Sequence, residues 1–170
     1  VNFIPEYFQY FKDDYELFMN NLSTDFKCAN YGDVENIMGV MKYGYHKCWD
    51  KKFFSSLIEN KNSFLYIQKK KEDVVGFVAG TISEKDCDII MMVIDVKSRR
   101  NGFGSLLLKN ILHVLRDMGI TNIYLEVAVN NSPAVNLYEK CGFEKINIRK
   151  SYYKHDDKMI DAALYQMVNI

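Results

Sequence analysis

The spacing of apolar residues predicts two helices in the first third of the chain. Between Asp33 and His46 the apolar residues recur every three or four positions, which is the period of a helix with one buried face. Asp50 suits the N-cap of a second, shorter helix that reaches Glu59, because its carboxylate can accept hydrogen bonds from first-turn N–H groups.

After Glu59 the pattern becomes that of β-strands. We predict strands over Ser63–Lys70 and Val74–Ser83, joined as a hairpin through a charged turn at residues 71–73. The next segment, Asp88–Val96, is almost continuously apolar, as is typical of a strand in the buried middle of a sheet.

Helices and strands alternate in the second half. A long helix follows the central strand and runs to Met118, with Gly119 at the C′ position beyond its end. Ser132 and Pro133 suit the N-cap and first turn of another helix, which reaches Cys141. The remaining predicted strands are Asn122–Val129, Phe143–Ile148 and Ala162–Val168.

This order of elements predicts an α/β fold, with a mixed, twisted sheet of six or seven strands flanked by about four helices. We assign residues 26–170 to one domain, which suits a chain of 170 residues. The first 25 residues form an aromatic-rich extension of unknown role (Phe3, Tyr7, Phe8, Tyr10, Phe11, Tyr15 and Phe18).

Charge and cysteine content narrow the classes of function. Lys and Arg together number 22, as do Asp and Glu, so net charge gives no reason to expect nucleic acid or a membrane as partner. No apolar run approaches the length of a membrane span, and no signal peptide is visible. The four cysteines form no C-x-x-C pair, so we expect reduced thiols in a cytoplasmic protein without a metal site (Cys28, Cys48, Cys87 and Cys141).

A glycine loop separates the central strand from the long helix. Gly102 and Gly104 remove side chains at a helix N-terminus, where free N–H groups can bind a phosphate, and Arg99 and Arg100 add positive charge. The loop is neither a dinucleotide fingerprint, whose third glycine would fall at Leu107, nor a P-loop. Taken alone, the segment fits a phosphate site and a tight turn with two solvated arginines equally well.

Two series of residues resemble the GCN5-related N-acetyltransferase (GNAT) superfamily. Arg99, Gly102 and Gly104 match its [QR]-x-x-G-x-[GA] signature, in the family's own place after a long central strand. The second half, in one order, is similar to the protein N-terminal acetyltransferases, namely the bacterial ribosomal-protein acetylating enzymes and the eukaryotic catalytic subunits. The matching residues are Leu125-Glu126-Val127, Asn131, Leu137-Tyr138-Glu139, Gly142-Phe143, Arg149, Tyr152-Tyr153 and Asp161-Ala162.

The resemblance implies central strands that splay apart at a bulge, with acetyl-CoA as co-substrate and no metal. Main-chain groups near the end of the central strand would pair with the pantetheine arm, since an amide-rich arm can add to a strand with unpaired edge groups. The glycine loop would bind the pyrophosphate. The implied cofactor-binding residues are Met92, Val93, Ile94, Arg99, Arg100, Asn101, Gly102, Phe103, Gly104, Asn131 and Tyr138.

Acetyl transfer requires a neutral amine, a stabilised oxyanion and a protonated thiolate. The resemblance implies that Glu126 is the general base, acting through a water, and that Tyr138 is the general acid. An N–H group near Val93 or Ile94 would stabilise the oxyanion. From the residues alone, Glu126 could face solvent on its strand, Tyr138 could be a core aromatic and Asn131 could be a turn residue.

The resemblance also implies that the acceptor is the N-terminal α-amine of a protein or peptide. Tyr152 and Tyr153 match a tyrosine pair that helps to hold the peptide backbone, on the loop between the last two strands. Trp49, in the loop before the second helix, would form the opposite wall. Whether an auxiliary subunit is needed stays open.

Other functions remain alternatives at this point: transfer to lysine, transfer to a small amine such as a polyamine, and acyl-CoA binding without catalysis. A polyamine enzyme would line its groove with acidic side chains, and the tyrosine pair argues against that. The presence of both Glu126 and Tyr138 argues against loss of catalysis.

Overall fold

The computed structural model of the chain describes residues 24–42, 49–155 and 158–169. Within them, seven strands form one mixed sheet in the order β1-β2-β3-β4-β5-β7-β6. The strands are β1 Thr24–Cys28, β2 Ser63–Lys70, β3 Asp73–Ser83, β4 Asp86–Ile94, β5 Asn122–Ala128, β6 Glu144–His155 and β7 Lys158–Val168. The helices are α1 Val34–Met41, α2 Lys51–Glu59, α3 Phe103–Asp117 and α4 Ser132–Lys140. The predicted fold class is confirmed.

Among the described strands, one pair is parallel, β4 with β5, and the other pairs are antiparallel. Strands β1 to β4 pair antiparallel in chain order, and β5 pairs antiparallel with β7, which in turn pairs with β6. β4 and β5 run parallel. A parallel pair needs a crossover connection, and α3 supplies it.

Two hydrophobic cores lie on opposite faces of the sheet. On one face, α3 and α4 pack on residues of β2 to β5 and β7. On the other face, α1 and α2 pack on the sheet, and the strand residues of that core, within the described chain, belong to β2, β3 and β4. None of the described helices therefore packs on the second face of β5 and β7.

Helix ends follow local rules, with one correction to the prediction. The Asp50 Oδ1 atom accepts from the Phe53 N–H at 2.9 Å and caps α2 as expected. Gly119 follows α3 with φ of +81°, as expected for a C′ glycine. The N-cap of α4 is Asn131 rather than Ser132, because the Asn131 Oδ1 atom accepts from the Ala134 N–H at 3.4 Å.

β1 was missed by the sequence prediction. It pairs with β2 from Thr24, opposite Lys70, to Cys28, opposite Tyr66, so the sheet begins two residues before the predicted domain start. The aromatic rings of Phe26 and Tyr66 stack with their centroids 5.0 Å apart. Residues 1–23, and with them almost all of the predicted extension, lie outside the described residues, as do residues 43–48.

A bulge in β4 controls which side chains reach each core. Gly80 of β3 lies opposite Ile89, and the preceding β3 residue lies opposite Met91, so Ile90 is an extra residue on β4. Ile89 packs in the core under α3, whereas Met91 and Val93 pack in the core under α1 and α2. In an unbroken strand all three would share a face, because side chains alternate with a period of two.

Gly80 lies opposite this bulge and has no room for a side chain. A Cβ atom there would overlap the Asp88 carbonyl oxygen and would lie 2.5 Å from Cζ of Phe64. The carbonyl belongs to the paired backbone of β4 and cannot move without separating the strands. The bulge therefore requires glycine at this position.

We predict that Gly80→Ala lowers the free energy of unfolding by about 1–3 kcal/mol, the usual cost of forcing a methyl group into a packed site. Gly39→Ala is the matched control, because Gly39 lies within α1 with no atom near its Cβ position, and it should raise stability by about 0.5–1 kcal/mol. Urea denaturation of both variants measures the difference. A Gly80→Ala protein as stable as wild type would contradict the close approach.

Candidate active site

β4 and β5 separate beyond the bulge. Their parallel pairing extends from Asp86, opposite Asn122, to Ile89, opposite Leu125, and no further pairing between them occurs in the part of the chain that the structure describes. β4 continues to Ile94, while the end of β5 pairs with β7. Main-chain groups of β4 beyond Ile89 that point away from β3 therefore have no partner on β5, in agreement with the predicted splay, and the Ile94 carbonyl among them accepts from Arg99 Nε.

The glycine loop turns the chain from β4 into the N-terminus of α3. Arg100 and Gly102 both have positive φ, of 64° and 78°, and Gly102 is the N-cap residue. Arg99 is fixed by its Nε atom, which donates to the Ile94 carbonyl at 3.1 Å, and Asn101 Nδ2 donates to the Arg99 carbonyl at 3.2 Å. Since first-turn N–H groups of a helix have no intrahelical acceptor, the start of α3 presents them at the end of β4.

Two residues of this loop are closely packed. The Phe103 side chain is buried with Val75 and Leu106, so only its main chain is free to face the gap. A Cβ atom on Gly104 would lie 3.3 Å from Cδ2 of Leu137. The N-terminus of α3, the end of β4 and α4 therefore converge at one end of the cleft.

α4 carries Tyr138 into this junction. The Tyr138 side chain is 8% exposed and belongs to the core under α3, with its ring edge-to-face against Phe143 at 5.8 Å between centroids. This packing matches the interpretation of Tyr138 as a core aromatic, and its role as an acid remains a prediction. Asn131 caps the same helix, in agreement with its interpretation as a turn residue.

A partly buried hydrogen bond connects α4 to the sheet. The Tyr165 hydroxyl of β7 donates to Oε1 of Glu139 at 2.7 Å, one residue after Tyr138. Burial of Tyr165, together with this hydrogen bond, raises the pKa of the phenol to about 12. Tyr165 therefore fixes the position of α4 relative to β7.

Glu126 lies on the open face of β5, opposite the buried residues Leu125 and Val127. Its side chain is 21% exposed, and its Oε1 atom is 2.7 Å from Nη1 of Arg149 on β6. Asp88 of β4 is close enough to interact with it. Partial burial and the neighbouring carboxylates of Asp86 and Glu126 raise the pKa of Asp88, whereas Arg149 lowers it.

The tyrosine pair corrects one prediction, because it lies within β6 and not on a loop between the last two strands. β6 leaves its register with β7 after Arg149 and resumes it at Tyr153. Tyr152 is exposed, and its ring is edge-to-face with that of Tyr153 at 5.0 Å between centroids. A hydrogen bond with the Glu126 carboxylate raises the pKa of Tyr152.

Trp49 packs at the start of α2. It precedes α2, and its ring packs against Phe53 at 4.1 Å between centroids, beside the core under α1 and α2. Most of the loop predicted to form the acceptor wall lies among the undescribed residues 43–48.

Sequence reasoning did not identify Arg149 as the partner of Glu126. From the sequence, Arg149 was named only among the residues that match the family. Its contact with Glu126 crosses strand β7 and could be foreseen only with knowledge of the strand order. The Ile90 bulge was expected somewhere between the central strands, but the uniformly apolar run around it gives no local signal. No group of three or more His, Cys, Asp or Glu side chains is placed to hold a metal among the described residues.

None of the described helices is long and apolar enough to cross a membrane.

The fold and the cleft define a family. The model of the acetyltransferase (GNAT) family matches residues 20–143, and the chain belongs to that family. An N-alpha-acetyltransferase of Sulfurisphaera tokodaii is 25% identical over 149 residues, which cover 79% of this chain and 89% of the relative. The [ribosomal protein bS18]-alanine N-acetyltransferase of Escherichia coli K12 is 29% identical over 115 residues, covering 68% and 76%.

The likeness extends to solved structures. The crystal structure of the ribosomal-protein-S18-alanine N-acetyltransferase from Escherichia coli superposes with a TM-score of 0.81 at 21% identity, covering 86% of this chain and 94% of that one. At this identity the superposition shows the fold. The protein is an N-acetyltransferase, and its family uses acetyl-CoA. The free edge of β4 and the N-terminus of α3 fit an amide-rich, phosphorylated co-substrate.

We predict that Tyr165→Phe lowers the free energy of unfolding by about 1 kcal/mol at pH 7 through loss of the hydrogen bond to Glu139. An unfolded tyrosine ionises near pH 10, whereas folded Tyr165 holds its proton to about pH 12. Wild-type stability should therefore fall between these values, and the variant should lack that part of the fall. Urea unfolding at pH 7, 10 and 11.5 tests this, and parallel losses in both proteins would contradict it.

Proposed function

We propose that the protein transfers the acetyl group of acetyl-CoA to the N-terminal α-amine of protein or peptide substrates. The observation that carries this proposal is the position of Glu126, a partly buried carboxylate on the open face, on β5 just beyond the residues paired with β4. The two relatives described above, an N-alpha-acetyltransferase and a ribosomal-protein-alanine acetyltransferase, support the same acceptor.

The cofactor would bind in the gap between β4 and β5 and at the start of α3. The outer main chain of Met92, Val93 and Ile94 pairs with the pantetheine arm, and the loop from Arg99 to Gly104 binds the pyrophosphate at the start of α3. The close contact of Gly104 with α4 and the buried Phe103 side chain support binding by main-chain groups. Asn131, at the first turn of α4, would contact the cofactor beside its capping role.

The acceptor would approach from the open face of β5 and β6. Glu126 would take a proton from the ammonium through a water, and Tyr138 would donate one to the leaving thiolate. An N–H near Val93 or Ile94 would stabilise the oxyanion. Tyr152 and Tyr153 on β6 would hold the peptide backbone, with Trp49 on the opposite wall.

An α-amine suits a single carboxylate base. The α-amino group has a reference pKa of about 7.7–8.0 and lysine one of about 10.4. Neutralising the amine at pH 7 therefore costs about 1–1.4 kcal/mol for an N-terminus but about 4.6 kcal/mol for lysine. A site in which Glu126 alone acts as the base meets the smaller cost more easily.

One feature supports a small polyamine as a second candidate acceptor. Asp88 of β4 interacts electrostatically with Glu126 on one side and with Asp86 on the other. Three carboxylates on one face attract a multiply charged cation, which a polyamine is. Arg149 offsets part of this charge, and the neighbouring tyrosine pair favours a peptide instead.

We predict that CoA is released from acetyl-CoA in the presence of short peptides with a free α-amine, and that N-terminal blocking of the same peptides abolishes release. Each peptide is its own control, because only the α-amine changes. Release from blocked peptides that contain lysine would contradict the α-amine assignment. Release with spermidine but with no peptide would favour the polyamine candidate.

We predict that Glu126→Gln and Tyr138→Phe each lower kcat by about 100-fold or more, because each removes one proton-transfer group. The KM for acetyl-CoA should change little, since neither variant alters the β4 edge or the α3 N-terminus. Steady-state kinetics with the preferred peptide and calorimetric binding of acetyl-CoA measure both quantities. Wild-type turnover in either variant would refute the role given to that residue.

A further inference from the structure

The Glu126 carboxylate is held from one side by a residue two strands away. Arg149 lies directly opposite Ala162 of β7, and Ala162 lies directly opposite Ala128 of β5. Ala128 and Glu126 share a face because they are two residues apart. The two alanines leave a shallow path across β7, along which the Arg149 side chain reaches Oε1 of Glu126 at 2.7 Å.

The Tyr152 ring packs against the guanidinium group of Arg149. The guanidinium carbon of Arg149 lies 5.5 Å from the centroid of the Tyr152 ring, within the range of a cation–π interaction. The Glu126 carboxylate raises the pKa of Tyr152, so the phenol lies within interaction range of it. Arg149 thus contacts both Glu126 and Tyr152, and these two side chains lie beside each other.

A local break in β6 places Tyr152 over Arg149. Ser151 has φ of 51°, and its N–H donates to Oδ1 of Asp161 at 2.9 Å. Lys150 Nζ donates to the other oxygen of the same carboxylate, also at 2.9 Å. Both contacts lower the pKa of Asp161 and keep it charged. The break is therefore fixed by its own hydrogen bonds.

We propose that Arg149 is a positioning residue that orients the Glu126 carboxylate for proton abstraction from the acceptor amine. This inference rests on the proposed base role of Glu126. Arg149 contacts Oε1 and so restrains the direction of the carboxylate, and because each carboxylate oxygen can accept more than one hydrogen bond, the group keeps acceptor capacity for the amine or its bridging water. Arg149 also places a cation beside Glu126 and close enough to Asp88 to act on it, which offsets the repulsion between these two carboxylates.

The decisive experiment compares Arg149→Ala with Lys145→Ala in the full chain. Lys145 is an exposed cation on the same strand, but it lies opposite Tyr165, whose side chain packs on the other face of the sheet. Arg149→Ala should lower kcat by about 10-fold, a part of what general base catalysis contributes, with the KM for acetyl-CoA unchanged. Lys145→Ala should retain wild-type kcat.

A double-mutant cycle shows whether Arg149 acts through Glu126. In the Glu126→Gln background, Arg149→Ala should lower kcat no further, because the group that it orients no longer accepts a proton. Methylguanidinium should restore part of the turnover of Arg149→Ala and none of that of Arg149→Ala/Glu126→Gln. A merely structural role for Arg149 would give neither result.

The outcomes separate the inference from the proposed function. Wild-type turnover of Arg149→Ala, or an equal loss in both backgrounds, would overturn the positioning role while the function stands. Wild-type turnover of Glu126→Gln would refute the base role of Glu126 and the inference with it. Loss of kcat in Arg149→Ala only when Glu126 is present would establish the inference.

Discussion

One extra residue in β4 determines both the packing of the sheet and the opening of the cleft. Ile90 has no partner on β3, so Ile89 packs under α3 while Met91 and Val93 pack under α1 and α2. The bend at the same residue ends the pairing of β4 with β5. Both effects have one cause. Restoring regular pairing between β4 and β5 would therefore turn Met91 and Val93 away from the core under α1 and α2. Gly80 makes this arrangement possible because its backbone approaches β4 more closely than a Cβ atom would allow.

The helices divide the two faces of the sheet unequally. α3 and α4 cover one face as far as β7, whereas the core beneath α1 and α2 contains strand residues of β2, β3 and β4 among those described. The face of β5 and β7 on which no described helix packs carries polar side chains, including Tyr124, Glu126 and Gln166. The end of β4 and the start of α3 meet on the covered side, so the two substrates of an acetyltransferase could approach the gap from different directions.

Most of the elements followed from the sequence because their periodicity is local. The β2 strand matches its predicted bounds, and the caps at Asp50 and Gly119 follow from side-chain chemistry alone. β1 was missed because a five-residue strand at the sheet edge has no partner nearby in the sequence. The bulge was invisible for a different reason: when every residue from Ile89 to Ile94 is apolar, a change of face leaves no trace in the pattern.

The sequence identified which residues belong to the candidate site but not which of them contact one another. Glu126 was identified from its motif, and the alternation of β5 placed it on the polar face. Its contact with Arg149 depends on β7 lying between β5 and β6 and on the small size of the two alanines that face the path. The position of Tyr152 depends on a break in the register of β6. Asp161 fixes this break by accepting hydrogen bonds from Lys150, eleven residues earlier in the chain, and from Ser151. Neither the strand order nor the break has a periodic signal.

The exposure of the Glu126–Arg149 pair indicates what it contributes. The Arg149 side chain is 52% exposed and that of Glu126 is 21% exposed, so solvent screens much of their attraction. Ion pairs of this kind typically add only about 0–1 kcal/mol to folding stability. A fully buried pair would add rigidity only at a large desolvation cost, and an isolated carboxylate on this face would be free to rotate. The observed arrangement restrains the direction of a carboxylate whose side chain is still partly exposed, so its main physical effect is geometric.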